Sequence, residues 1–155
     1  MKTSKELLRF IKALLKMGNP KNISKHISYS EATNSNTANR KGITNKPTPE
    51  ILNSMEYTAN RCFEPLREWY GKPIRISSFY RCTLLNNVLG GSKTSQHPKG
   101  EAIDMTVGTK EGNKKIYDWC KANIEFDQLI NEYDYSWVHI SIKKKDNRNQ
   151  TFKIT

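Results

Sequence analysis

The chain has 155 residues, with 26 Lys and Arg against 15 Asp and Glu, a formal net charge of +11. That length holds one domain with a real but modest core, and the charge favours anionic partners: nucleic acid, acidic lipid or a bacterial wall carrying phosphate polymers. No apolar run is long enough to span a bilayer. The scattered Cys62, Cys82 and Cys120 form neither an even disulfide set nor a Cys-x-x-Cys clip, so they read as small buried residues of a protein made in a reducing compartment.

Leu7, Leu8, Ile11, Leu14 and Leu15 recur at helical spacing with Lys5, Arg9, Lys12 and Lys16 between them. This predicts an amphipathic N-terminal helix within residues 1–20, ended by Gly18-Asn19-Pro20. Its basic residues interrupt the apolar stretch that a signal peptide needs, so none is expected. The stripe either packs on its own domain or lies on an anionic membrane. Residues 21–48 are polar, and 30–45 read as a long loop; His26, within the polar stretch, is a loop histidine or a third imidazole ligand without ligand spacing around it. Thr48-Pro49-Glu50 then starts a helix with a cap, a first-turn proline and an acid. Leu52, Met55, Ala59, Cys62, Phe63 and Leu66 carry its apolar face to Gly71, with a bend expected at Pro65. A short strand over 74–77 and a short helix over 83–89 follow, stopped by Gly90-Gly91. Residues 109–123 predict a helix with Ile116, Trp119 and Cys120 inward, 126–131 a strand, and 132–136 a turn. Residues 144–155 read as a polar C-terminal tail.

Two pieces carry chemistry. Ser95-Gln96-His97-Pro98-Lys99-Gly100-Glu101-Ala102-Ile103-Asp104 reads as a loop running into a strand, and Trp137-Val138-His139-Ile140-Ser141 as a second strand. Residues two apart share a strand face. Asp104 therefore lies with Ala102 and Thr106, opposite Ile103, Met105 and Val107. His139 lies with Trp137 and Ser141, opposite Val138, Ile140 and Ile142. On neighbouring strands His97, Asp104 and His139 converge. Two imidazoles and a carboxylate suit one zinc ion per chain, with a fourth position left open as in catalytic sites. Such a site polarises a carbonyl and lowers the pKa of water towards about 7. Helices alternating with short strands, and the hairpin near 126–142, indicate an α+β fold: a small antiparallel sheet carrying the zinc, with helices packed on its other face.

Ser-x-His-x-x-Gly-x-Ala-x-Asp followed by Trp-x-His resembles the zinc D-Ala-D-Ala carboxypeptidases and related peptidoglycan peptidases. These include phage endolysins and, more distantly, vancomycin-resistance dipeptidases and the hedgehog signalling domain. Ser77-Ser78-Phe79-Tyr80-Arg81, Leu85-Asn86-Asn87-Val88-Leu89-Gly90-Gly91-Ser92, Lys25-His26-Ile27-Ser28 and Asn45-Lys46-Pro47 extend the likeness over residues 23–143. The resemblance implies hydrolysis of a peptide bond in peptidoglycan stem peptides. It implies that Arg81 reaches into the site to hold the scissile carbonyl oxygen or a substrate carboxylate, with Ser95 orienting substrate. Many relatives place an acid three positions before the last zinc histidine; here that position is Ser136. Others place a glutamate at the end of the preceding strand, which points to Glu132 as general base with Asp134 in the turn as runner-up. A phage-type enzyme is then expected, made in bacterial cytoplasm, acting at the wall as a monomer and aided by attraction to anionic wall polymers. Two rivals are a non-catalytic zinc domain that binds peptide or wall, and a nucleic-acid binder. The second has only the charge in its favour, since no reading motif is present, and no nucleic-acid partner is expected.

Overall fold

The computed structural model describes residues 5–6 and 19–155. The expected N-terminal helix lies outside the described residues except for Lys5 and Glu6, which are helical. Two short helices replace the long loop expected over 30–45: α1, Tyr29–Thr33, and α2, Asn36–Lys41. Ser28 Oγ accepts from Glu31 N and Ser35 Oγ from Ala38 N, so each first turn is capped. Gly42, at φ 63°, closes α2 in the left-handed conformation that glycine adopts without strain. Each helix buries a single alanine, Ala32 or Ala38. With so little apolar surface, neither shows helical periodicity in the sequence.

The main helix starts where the sequence predicts. Thr48 caps α3, Pro49–Thr58, which passes through a π-helical turn, Ala59–Phe63, into α4, Glu64–Tyr70. Upstream of Pro65, where the sequence predicts a bend, the helix has this widened turn: a proline lacks the N–H of a regular helix and crowds the preceding turn, and the backbone accommodates it there. Glu64, buried near that junction, accepts from Ser24 Oγ at 2.5 Å, His26 N at 2.8 Å and lies 2.6 Å from His26 Nδ1. His26 therefore anchors the polar segment to α4 and stands outside the metal-ligand cluster described below.

β1, Arg75–Ser78, leads to α5, Thr83–Val88. The remaining elements are a 3-10 turn, His97–Lys99, then β2, Ala102–Thr106, α6, Lys110–Asn123, β3, Gln128–Glu132, β4, Trp137–Ser141, and β5, Gln150–Ile154. The sheet order is β1-β2-β4-β3-β5. Neighbours are antiparallel except β3 and β5, which run parallel, so the sheet is mixed rather than wholly antiparallel. β5 is also a correction to the polar C-terminal tail. Its residues are largely exposed, so no buried face imposed a readable pattern.

The two sheet faces differ as the alternation predicts. Ile103, Met105, Leu129, Val138 and Ile140 join the helix residues Met55, Phe63, Leu66, Ile116 and Cys120 in one apolar core. Cys62 and Cys120 are buried free thiols whose ionisation burial opposes, Cys120 being pushed up to about 12. Cys82 departs from the reading of three buried cysteines: it is half-buried, and its sulfur accepts from Leu85 N at the start of α5.

Candidate metal centre

The opposite sheet face carries the site. Backbone pairing aligns Ser78, Asp104, His139, Ile130 and Phe152 in one row across all five strands. Cross-strand partners share a face, so Asp104 and His139 emerge side by side. His97 joins them from the 3-10 turn. Gly100, at φ 69°, ends that turn against α3, and a Cβ there would meet Met55 Cγ at 2.6 Å and Ile51 O at 2.9 Å. Thr58 Oγ1 donates to Gly100 O at 3.0 Å, tying the loop to the main helix. The glycine in Ser-x-His-x-x-Gly is thus required both by its backbone conformation and by this close approach.

His97, Asp104 and His139 offer ligand atoms that all lie within 4.8 Å of one another. His97 Nδ1 is 2.6 Å from Phe79 O. A carbonyl can only accept, so the ring proton sits on Nδ1 and the Nε2 lone pair faces the site. Nε2 is buried and has no hydrogen-bond partner among the described residues, although Asp104 Oδ2 is 3.2 Å away. Burial lowers the His97 pKa against the pull of Asp104, which favours the neutral ring. Burial acts to raise the Asp104 carboxyl, but His97 and His139 hold it well below the usual carboxylate range. A lone pair and a carboxylate oxygen consequently face each other at close range. His139 Nδ1 completes the set 2.8 Å from Asp104 Oδ1. Two nitrogen donors and one oxygen donor around an unsatisfied buried nitrogen fit a borderline-soft divalent cation such as zinc.

Two charged groups flank this set. Arg81, between β1 and α5, has its pKa lowered by burial against the pull of Asp104 and Glu132; its Nε is buried without an acceptor among the described residues. Glu132 ends β3 opposite Trp137. Burial and the Asp104 charge raise its pKa, while His139 and Arg81 lower it. Arg81 and Glu132 therefore share the electrostatic environment of Asp104. Asp134 does not: it is exposed in the hairpin, 2.6 Å from Lys110 Nζ. Ser136 Oγ donates to Tyr133 O within the same hairpin. Ser95 Oγ accepts from His97 N at 3.3 Å, which places it beside the site as a support for the histidine turn.

Two asparagines at the periphery carry no role in the sequence reading. Asn45 bonds to the backbone on both sides of Arg81. Asn113, buried on α6, accepts from Val107 N and donates to Tyr135 O and Ser136 O, joining the end of β2 to the hairpin after Glu132. An asparagine in a helix or loop gives no sequence signal for such long-range bonds; only the first was visible, as part of Asn45-Lys46-Pro47.

A protein-family model described as peptidase M15 matches residues 25–141. A search of curated proteins finds no match.

Proposed function

The chain belongs to the peptidase M15 family of zinc D-Ala-D-Ala carboxypeptidase-like peptidases, and on that premise we propose that it cleaves a peptide bond in the stem peptides of bacterial peptidoglycan. The observation that carries the reading is the buried, unpartnered His97 Nε2 facing Asp104 and His139, with Arg81 and Glu132 alongside. We assign His97, Asp104 and His139 as ligands of one zinc ion. A bound zinc ion would supply Lewis acidity there, polarising a peptide carbonyl and making water a stronger acid near neutral pH. Glu132, at a carboxylate oxygen, takes the proton of the attacking water and returns it to the leaving amine. Arg81 steadies the developing oxyanion or a substrate carboxylate through its planar fork. Ser95 contributes to substrate orientation through the histidine turn.

The place of action is the cell wall, and the net +11 charge assists approach to its anionic polymers. A phage-type wall-degrading role for a monomeric enzyme fits this chemistry. Incubation of zinc-loaded protein with purified walls, followed by mass spectrometry of the released muropeptides, tests the proposal. The expected result is new amine and carboxyl termini within stem peptides, lost on chelation; intact walls in the presence of bound zinc would leave a metal-containing binding domain in its place.

A further inference from the structure

We propose that Asn45 is a positioning residue for Arg81, fixing the peptide groups on either side of it and thereby setting where the guanidinium enters the site. The inference rests on the role given above to Arg81. That residue belongs to neither β1 nor α5, and its own N–H reaches His97 O only at 3.5 Å. Its Nε has no acceptor among the described residues. Its placement must therefore come from the chain on either side.

Asn45 supplies that placement. Its Nδ2 donates to Tyr80 O at 3.0 Å and its Oδ1 accepts from Cys82 N at 2.8 Å. The second Nδ2 hydrogen goes to Thr33 O, at the end of α1, at 2.9 Å. Two carbonyls and one N–H admit only one orientation of the side-chain amide, since the flipped group would set its oxygen against two other oxygens. The clamp reaches across 35 to 37 positions of sequence. It also explains what the two small helices do. Gly42 turns the chain out of α2, Ile43 N returns to Ala38 O at 2.9 Å, and Asn45 is delivered to the Arg81 segment. Tyr80 N is held in turn by Ala32 O at 3.0 Å. The metal-ligand cluster, built on β2, β4 and the 3-10 turn, receives none of the Asn45 bonds.

The test combines a mutant cycle with a signal from Arg81 itself. Displacement of a reacting group by about an ångström costs on the order of 10²-fold, so Asn45→Ala is expected to lower wall hydrolysis on that scale with zinc content unchanged. In an Arg81→Ala background the same change is expected to alter activity by less than about 2-fold, because the guanidinium it positions is gone; an effect passed instead from Tyr80 through Phe79 O to His97 would show as lost zinc and would overturn the proposal. Independently, the Arg81 Nε–H resonance, assigned by its loss in Arg81→Lys, should be protected in the wild type and broaden in Asn45→Ala. Asn45→Asp keeps the acceptor for Cys82 N but loses both donated bonds, and gives the same result should Asn45→Ala not fold. Additive losses in the cycle, an unchanged Nε–H signal, or unfolding of both variants would overturn the proposal. Failure of wild-type protein to digest walls would overturn the peptidase reading instead, while the Nε–H signal would still judge Asn45.

Discussion

Asp104 and Asp127 are both buried carboxylates, and they are neutralised in opposite ways. Asp127 is surrounded by the chain's own cations. Arg148 donates from Nε at 3.1 and 3.2 Å and from Nη2 at 2.5 Å, Arg148 N adds a bond of 3.0 Å, and Lys143 Nζ lies at 3.4 Å. Asp104 has no such cation in hydrogen-bond contact among the described residues. It faces two imidazoles, one of them neutral by burial with its lone pair inward. A buried charge without full compensation is costly. The first cluster is complete as the chain folds, whereas the second could hold a metal ion. Burial of an acid therefore says little about its role; what occupies its other side decides.

The largest expected effect comes from breaking the incomplete cluster. His97→Ala or His139→Ala leaves two donors, too few to hold zinc well. Elemental analysis should fall from one zinc per chain to background, and wall hydrolysis should vanish. Zinc should raise the wild-type melting temperature, since a ligand bound only by the folded state stabilises it, and leave the variants' temperatures unmoved. Arg148→Ala, at the other cluster, should keep full zinc content.

The next effect sharpens the distinction within the site. Proton transfer by a placed carboxylate contributes about 10²–10⁴-fold. Glu132→Gln should lose activity on that scale and retain zinc, whereas Asp134→Asn should change turnover little, because Asp134 is exposed and occupied with Lys110. Wild-type turnover in Glu132→Gln would move the base elsewhere.

The uneven legibility of these residues has a physical cause. The convergence of the candidate ligands could be read because a strand's period of two, combined with an aliphatic opposite face, dictates where Asp104 and His139 point. The main helix could be read from Thr48-Pro49-Glu50 and its apolar stripe. α1 and α2 could not, since one buried alanine each makes no periodicity. β5 was hidden for the same reason: pairing through its backbone leaves its side chains exposed. Asn45 and Asn113 act by side-chain bonds to distant backbone, and nothing local distinguishes them from ordinary polar residues. The Asp127 cluster was hidden similarly, for Arg148 sits in a stretch that resembles any solvated basic segment.

That cluster gives the smallest expected effect, and acid exposes it. Burial works to raise the Asp127 carboxyl, but the bonds and charge of Arg148, with Lys143, bring it down to about 2. An acid with a depressed folded-state pKa binds its proton more readily when unfolded, so its stabilisation is present above the unfolded value of 3.8 and lost as pH falls through about 2. The shift corresponds to about 2 kcal/mol. Asp127→Asn should lower stability by about that amount at pH 6, measured by denaturant unfolding in chelator so that metal release makes no contribution. The gap to wild type should then close between about pH 4 and pH 2, because protonation leaves the wild-type side chain uncharged as well. Other carboxylates titrate over the same range, but they do so in both proteins, and the difference between the two curves isolates Asp127. A gap that stayed constant down to pH 2 would mean that the carboxylate's charge contributes nothing there and that shape alone holds the lead-in to β5.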